Sequence, residues 1–158
     1  QVTVSAWYNS TSTTHHIIAS SDRNEYWRFA VGSDESDGVQ WTVSSSDMVS
    51  STSRTAIQDG NWHHLVGVFD TSVTNDHKIY IDGQLDSEAD FFTSGIGSGA
   101  VSYTHIGTGS EASSQNGSTG PDDVMDGNLD DVRVYDRALS EDEINALYQM
   151  RTQRNAYL

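Results

Sequence analysis

The chain reads DGNWHHLVGVFD from Asp59 to Asp70, and this stretch decides the fold. After the Asp-Gly turn signal, the residues from Trp62 to Phe69 are rich in aromatic and β-branched side chains, a composition that predicts a buried β-strand. Successive side chains of a strand point to opposite faces of its sheet. His63 and His64 therefore cannot hold one metal ion together, and we interpret both as structural.

The rest of the chain carries similar short patterns with a period of two residues, separated by Ser-, Gly- and Asp-rich loops. This organisation predicts an antiparallel sandwich. The clearest turn is Asp82-Gly83, which suits the two positive-φ positions of a type I′ hairpin. The predicted strands are Val2 to Tyr8, His16 to Ser20, Tyr26 to Gly32, Val39 to Val43, Trp62 to Phe69, Lys78 to Ile81, Val101 to Ile106 and Asn128 to Tyr135.

One segment near the C-terminus has helical features. Ser140 can cap the amide of Glu143, and the Glu143 side chain can reach back, as in a capping box. Ile144, Leu147 and Tyr148 form one apolar stripe. We therefore predict a short helix that ends at Tyr148 and packs across one end of the sandwich.

Two further segments complete a family pattern. YIDG at residues 80–83 forms the predicted hairpin turn, and GNLDDVRVYDRALS at residues 127–140 leads into the predicted helix. Together with DGNWHH at residues 59–64, these motifs resemble the laminin G-like domains of the concanavalin A-like lectin jelly-roll family. The resemblance implies an all-β, antiparallel two-sheet jelly-roll sandwich with one short C-terminal helix, formed by a single domain over residues 1–158.

Members of that family usually begin with an extra strand before the segment that matches residues 2–7, and no such strand precedes it here. The chain also begins at Gln1 without a methionine, which suggests a processed chain or a fragment of a longer protein. A sheet that lacks a strand has an exposed edge. We expect residues 149–158, an upstream region or a neighbouring subunit to supply the strand, and the oligomeric state is open.

Composition limits the partners. The chain has 158 residues and no cysteine, so it fits one domain without disulfides or a cysteine nucleophile. Its 23 acidic and 8 basic residues give a formal net charge of −15. Such a surface repels phosphate groups, so nucleic acid is not expected as a partner. No apolar run is long enough to span a bilayer, and no membrane insertion is expected.

The kind of charge is also informative. Aspartate outnumbers glutamate, and Lys78 is the only lysine. This bias is typical of proteins from saline habitats, where salt screens the self-repulsion of the chain. We predict a salt-adapted protein, with an ordinary acidic secreted domain as the alternative.

Catalysis is not expected. Laminarinase-type hydrolases of similar fold carry a Glu-x-Asp-x-x-Glu strand that places nucleophile and acid on one face. The nearest pattern here is Glu88-Ala89-Asp90, and its third carboxylate is missing. The sequence therefore predicts a protein that is not an enzyme, with no catalytic residues and with a hydrolase as the weakest hypothesis.

Calcium is the cofactor that the resemblance suggests, because many jelly rolls of this group hold such an ion. Calcium takes six to eight oxygen ligands, including carboxylates and backbone carbonyls. The candidate ligands are Asp130 on the closing strand, Asp47 in the loop after Val43, and Asp122 with Asp123 in the loop from Gly107 to Gly127. The alternative is that these carboxylates are solvated surface charges.

Sugar binding needs an aromatic platform with fixed polar groups beside it. Alternation places the side chains of Trp27, Phe29 and Trp41 in the core. It turns the side chains of Tyr26, Arg28 and Gln40 to the opposite face. We predict these three as ligand-binding residues, joined by Trp7, although any solvated sheet face has a similar composition. Asn9 and Asn116 begin N-glycosylation patterns on predicted loops.

Two functions follow. The first is an extracellular carbohydrate- or glycoprotein-binding, lectin-like module that is stabilised by calcium and meets its ligand on the polar sheet face or the loop from Gly107 to Gly127. The second is a structural or adhesive surface component, such as an appendage subunit or a virion decoration, that assembles through its sheet edges.

Overall fold

The protein is described here by a computed structural model that covers residues 1–14, 16–21, 27–33, 36–43, 50–52, 57–90, 104–110 and 121–155. Within these residues it has two five-stranded antiparallel sheets, a small two-stranded sheet and one helix. The predicted antiparallel two-sheet sandwich with one C-terminal helix is confirmed, and the small third sheet was not predicted. The elements are β1 Val2–Asn9, β2 His16–Ser21, β3 Trp27–Ser33, β4 Ser36–Val43, β5 Ser50–Thr52, β6 His63–Phe69, β7 His77–Ile81, β8 Gln84–Ala89, β9 Thr104–Ile106, β10 Gly109–Ser110, β11 Pro121–Asp122, β12 Asn128–Tyr135 and α1 Glu141–Asn155.

The first sheet has the order β12-β1-β6-β7-β8. Its central strand is β6, the strand that the sequence identified first. The strand β1 pairs with β12 on one side and with β6 on the other. No edge is therefore left beside β1, and within the described residues the edges of this sheet are β12 and β8.

The second sheet has the order β5-β4-β3-β2-β9. The register pairs Trp27 with Val43 and Phe29 with Trp41 across β3 and β4. These side chains belong to the main hydrophobic core together with inward residues of β1, β6 and β7. The predicted division of β3 and β4 into a core face and an opposite face is therefore present in the structure.

The two sheets meet where Trp41 of β4 packs against Gly67 of β6. A Cβ atom placed on Gly67 would lie 2.6 Å from Cδ2 of the Trp41 ring. The Trp41 indole also donates a hydrogen bond of 3.1 Å to the carbonyl of Val68. The absence of a side chain at residue 67 allows the indole to lie directly on the backbone of the opposite sheet.

The hairpin between β7 and β8 has the predicted turn. Asp82 and Gly83 both have positive φ, at 52° and 80°. The Asp82 carboxylate accepts a hydrogen bond of 2.9 Å from the backbone amide of His64. This bond ties the hairpin turn to the start of β6.

The helix α1 begins with the predicted capping box. The Glu143 amide donates to the Ser140 hydroxyl, and the Ser140 amide donates to the Glu143 carboxylate. The helix packs against the outer face of the first sheet instead of an end of the sandwich, and it continues to Asn155. The reason is the outer face of β6, where alternation leaves Val66 and Val68 to be covered.

The cluster beneath α1 joins Val66, Val68 and Tyr80 of the sheet to Leu139 and Ile144. Burial of Ile144 in this cluster, with Leu147 packed against it, holds α1 on the sheet. Within the described parts of the chain, no helix has the length and apolar character needed to cross a membrane.

Replacing Gly67 by alanine is expected to lower the free energy of unfolding by about 2 kcal/mol, because overpacking at a fixed backbone contact costs about 1 to 3 kcal/mol. Chemical denaturation of both proteins measures this. The control is Thr74→Ala at an exposed position, which is expected to change stability by less than about 0.5 kcal/mol. An equal, small effect of both substitutions would contradict the packing role of Gly67.

Candidate functional site

A row of polar residues crosses the outer face of the second sheet. The register places His105 of β9 opposite Ser20 of β2, Ser20 opposite Arg28 of β3, and Arg28 opposite Thr42 of β4. Paired residues of an antiparallel sheet share one face. We call His105, Ser20, Arg28 and Thr42 the polar row.

The polar row points away from the main core. Trp27 and Phe29, on either side of Arg28, both lie in that core, as do Trp41 and Val43 on either side of Thr42. Alternation along β3 and β4 therefore turns the row outward.

The polar row does not lie on a solvated face. Ser20 is 5% exposed and Thr42 is 1% exposed, and the adjacent Ala30 is fully buried. Gln40 pairs with Ala30, one step along the sheet from Arg28, and is half-buried. The structure thus places the predicted residues Arg28 and Gln40 on one face, where both are half-buried and accessible to a ligand, whereas Ser20 and Thr42 are not.

Arg28 is half-buried and its Nε atom is shielded from solvent without a hydrogen-bond partner among the described residues. Buried polar atoms are nearly always paired, so an exception calls for an explanation. Four other cationic side chains each lie within 4 Å of a carboxylate: Lys78 at Glu88, Arg133 at Asp131, Arg137 at Glu143 and Arg151 at Asp130.

Trp7 lies elsewhere. It pairs with His64 on the outer face of the first sheet and is only 4% exposed beneath α1. Its ring stacks on Tyr148 with a centroid separation of 5.8 Å. The whole sandwich therefore separates Trp7 from Arg28, and the two residues do not share a surface.

A cluster that the sequence did not predict encloses Trp7. The guanidinium carbon of Arg151 lies 4.9 Å from the Trp7 ring centroid and 4.5 Å from that of Trp62. Arg151 also donates a hydrogen bond of 2.7 Å to Asp130. We call Trp7, Trp62, Arg151 and Asp130 the tryptophan clasp, which fastens the end of α1 to the first sheet.

The calcium candidates lie in different surroundings. At Asp130, one carboxylate oxygen accepts a hydrogen bond from Arg151 and the other from the Asp131 amide. A calcium ion would have to displace the guanidinium, so this arrangement does not fit the ion. Asp122 ends β11, and the carbonyl of Asp123 accepts a hydrogen bond from Ile17. Within the described residues no three carboxylate or imidazole groups form a metal-binding cluster.

Three predicted residues, Tyr26, Asp47 and Asn116, lie outside the described residues. The predicted glycosylation residue Asn9 ends strand β1 instead of lying in a loop. Its side-chain amide donates a hydrogen bond of 2.5 Å to the carbonyl of Gly60. Glycosylation at Asn9 would require that bond to break.

The two adjacent histidines have opposite electrostatic surroundings. Burial lowers the pKa of His64 to about 4, and its Nδ1 atom has no hydrogen-bond partner in the described structure. Burial also acts to lower the pKa of His63, but hydrogen bonds to Asp82 and Asp59 outweigh it and raise the pKa. Hydrogen bonds from Asn61 and then from His63 lower the pKa of Asp59 to about 2.

His63 and its two hydrogen-bond partners join the turn at residues 59–62 to the hairpin between β7 and β8. The Nδ1 atom of His63 lies 2.9 Å from Asp82, and its Nε2 atom lies 3.1 Å from Asp59. The two histidines point to different sides of the sheet, as alternation requires, and we find no shared site between them.

The sequence of the chain matches a known family along most of its length. The match covers residues 1–145, and the family is described as the concanavalin A-like lectin/glucanases superfamily. The chain belongs to this superfamily. No curated protein matches its sequence.

Solved structures share the fold of this superfamily member at low sequence identity. A native heptameric SAP-like pentraxin from Limulus polyphemus has a TM-score of 0.69 at 20% identity, with 94% of this chain and 69% of that chain covered. The CBM40 of the Ruminococcus gnavus IT-sialidase, bound to α2,3 sialyllactose, has a TM-score of 0.71 at 17% identity, covering 94% and 82%. The botulinum neurotoxin DC binding domain, in complex with rat synaptotagmin II, has a TM-score of 0.61 at 15% identity, covering 94% and 35%.

Removal of the tryptophan clasp is expected to loosen α1. Arg151→Ala should lower the free energy of unfolding by about 1 to 2 kcal/mol, the sum expected for two cation–π contacts and one exposed ion pair. Met150→Ala, on the same turn at an exposed position, is the control. Thermal unfolding of the two variants compares them, and an Arg151→Ala effect no larger than that of the control would show that the clasp is unimportant.

The same measurement tests Asp130 as a calcium ligand. If Asp130 pairs with Arg151 and binds no calcium ion, Asp130→Asn should lower the melting temperature by the same amount in calcium chloride and in chelator. A loss of stability that is seen only with calcium would assign Asp130 to an ion.

His64 is expected to make the fold less stable in acid. Because its folded pKa is below the unfolded value, the unfolded chain binds more protons between about pH 6.5 and pH 4, and stability falls as the pH is lowered through this window. The wild-type stability relative to His64→Phe should therefore decrease by up to about 3 kcal/mol from pH 6.5 to pH 4. Denaturant unfolding at a series of pH values measures this difference.

His63→Gln is the comparison of opposite sign. The raised pKa of His63 gives stability that is present below the unfolded pKa and is lost as the pH rises through the folded pKa. The cost of His63→Gln should thus be greatest in mild acid. Parallel pH curves for wild type, His64→Phe and His63→Gln would contradict both assignments.

Proposed function

We propose that the chain is an extracellular, non-catalytic carbohydrate-binding module whose ligand meets Arg28 and Gln40, the half-buried residues on the face that carries the polar row. The observation that carries this proposal is the shielded Arg28 Nε atom without a hydrogen-bond partner in the described structure, on a half-buried side chain that shares its sheet face with the half-buried amide of Gln40. Sugar hydroxyls donate and accept hydrogen bonds, so they are suitable partners for such groups.

Superfamily membership supports this function, because the superfamily is named for lectins as well as glucanases. The R. gnavus CBM40, whose structure holds α2,3 sialyllactose, has the same fold over 94% of this chain. One fold hosts many functions, so at 17% identity this likeness supports the fold, and the residues Arg28 and Gln40 support the function.

The position of the nearest carboxylate pattern also favours binding over hydrolysis. Glu88 lies on β8, an edge strand of the first sheet, and its carboxylate lies 3.9 Å from the Lys78 ammonium. Glu88 therefore lies in the first sheet, whereas the polar row lies in the second. A hydrolase needs paired carboxylates on either side of the bond that it cleaves.

Assembly through sheet edges is the second candidate, and two exposed apolar residues favour it. Val134 on β12 is 52% exposed and Leu85 on β8 is 42% exposed, both on edge strands of the first sheet. Charged side chains on the same strands, such as Asp131 on β12 and Glu88 on β8, act against edge pairing, because an added strand would remove them from water. We therefore rank assembly below sugar binding, and calcium dependence and salt adaptation stay predictions beside both.

The proposal is tested by applying the purified chain to an array of neutral and charged saccharides at 0.15 M and 2 M sodium chloride. We expect binding to a limited set of saccharides, weakened about two- to tenfold in Gln40→Ala, since one hydrogen bond to a ligand contributes about 0.5 to 1.5 kcal/mol. Gln149→Ala on the exposed side of α1 is the matched control and should bind normally.

Two results would contradict the proposal. The first is a folded chain that binds no saccharide at either salt concentration. The second is saccharide binding that Gln40→Ala and Arg28→Gln leave unchanged. Light scattering on the same samples distinguishes the second candidate, because a non-binding chain that forms multimers would favour edge assembly.

A further inference from the structure

We infer that the saccharide bound at the polar row carries a carboxylate, and that Arg28 recognises this group. The inference rests on the proposed function and specifies its ligand. It follows from the charge environment of Arg28, which differs from that of Lys78, Arg133, Arg137 and Arg151.

The chain has 23 acidic residues for 8 basic ones, so carboxylates are abundant as local partners. Four described cations use them, as the ion pairs of Lys78, Arg133, Arg137 and Arg151 illustrate. Arg28 has no carboxylate within 4 Å in the described structure, although it is half-buried. A charge that is partly removed from water and left unpaired is unfavourable, so a binding partner of opposite sign would stabilise it.

The shape of the guanidinium selects the partner. Its donors form a rigid planar fork that matches the two oxygens of a carboxylate, and such paired, charge-assisted bonds are stronger than bonds between neutral groups. The unpartnered Nε atom is one arm of that fork. A sugar hydroxyl offers one oxygen, whereas a carboxylate offers two acceptors in the geometry that Arg28 presents.

Arg28 has neutral neighbours on its face of the sheet. Ser20 and Thr42 stand opposite Arg28 on β2 and β4 and are buried, whereas Gln40, one step along β4, is half-buried and offers its amide to the rest of a sugar. These hydroxyl and amide groups do not compete for the guanidinium as a carboxylate would. The net charge of −15 repels anions at long range, which makes general anion binding unfavourable and leaves recognition to this short-range contact.

The experiment compares matched probes by isothermal titration calorimetry. The probes are α2,3-sialyllactose, trigalacturonic acid, the methyl esters of both, and lactose as a neutral sugar. We expect at least one acidic probe to bind, its methyl ester to bind at least about tenfold more weakly, and Arg28→Gln to lose a similar factor, as expected for a charged hydrogen bond of about 1.5 to 3 kcal/mol. Arg28→Lys keeps the charge without the fork and should recover only part of the affinity.

Arg133→Gln is the matched control, because it removes the same charge from the first sheet, where Arg133 pairs with Asp131. It should leave the affinity for the acidic probe unchanged. Circular dichroism and melting temperature establish that Arg28→Gln is folded, and if it is not, Arg28→Lys and the methyl esters still decide the matter.

The outcomes separate the two proposals. Binding of neutral saccharides without preference for the acidic probes would overturn the carboxylate inference and leave the proposed function standing. Acidic probes that bind Arg28→Gln and wild type equally would overturn the role of Arg28. Absence of binding to all saccharides would overturn the proposed function itself, together with the inference that rests on it.

Discussion

The contact between Trp41 and Gly67 is the constraint on which the rest of the structure depends. It places the indole of β4 on the backbone of β6, where the two sheets pack together. Strand alternation then determines what each sheet turns outward. On β6 the outward residues are Val66 and Val68, and on β4 they are Gln40 and Thr42.

The two outer faces are consequently of different chemical kinds. The outer face of the first sheet is apolar, and α1 covers it with Ile144 and Leu139. The outer face of the second sheet carries the polar row with Arg28, beside the buried pair Ile17 and Ala30. The contrast extends to charge, since Arg151 on the covered face is held by Asp130 and two tryptophan rings, whereas Arg28 has no such partners among the described residues. This difference is the reason for assigning a structural role to one arginine and a binding role to the other.

Much of the fold could be predicted because its signals are local. The alternation of β3 and β4, the Asp82-Gly83 turn and the Ser140–Glu143 capping box each depend on a few consecutive residues, and each is present in the structure. The placement of α1 could not be predicted in the same way. It depends on an apolar face built from β6 and β7, which only the pairing of distant segments creates.

The candidate site was predictable to a similar extent. Alternation alone was enough to place Arg28 and Gln40 on a common face. It could not show that Trp7 lies on the far side of the sandwich. Alternation assigns side chains to the two faces of their own sheet and does not relate them to the faces of the other sheet. The tryptophan clasp was missed for the same reason, since Arg151 follows the end of the predicted helix and meets Trp62 only after the whole chain has folded.

The most direct test of the central claim, that the polar row is the ligand face, is a nuclear magnetic resonance titration that follows the Nε–Hε signals of the arginines. The Arg28 signal is assigned from its absence in Arg28→Lys, and α2,3-sialyllactose and trigalacturonic acid are added in turn. The proposed site predicts a saturable shift of the Arg28 signal while those of Arg133 and Arg137 stay in place. A bound saccharide that leaves the Arg28 signal unmoved and shifts resonances of the first sheet would contradict it.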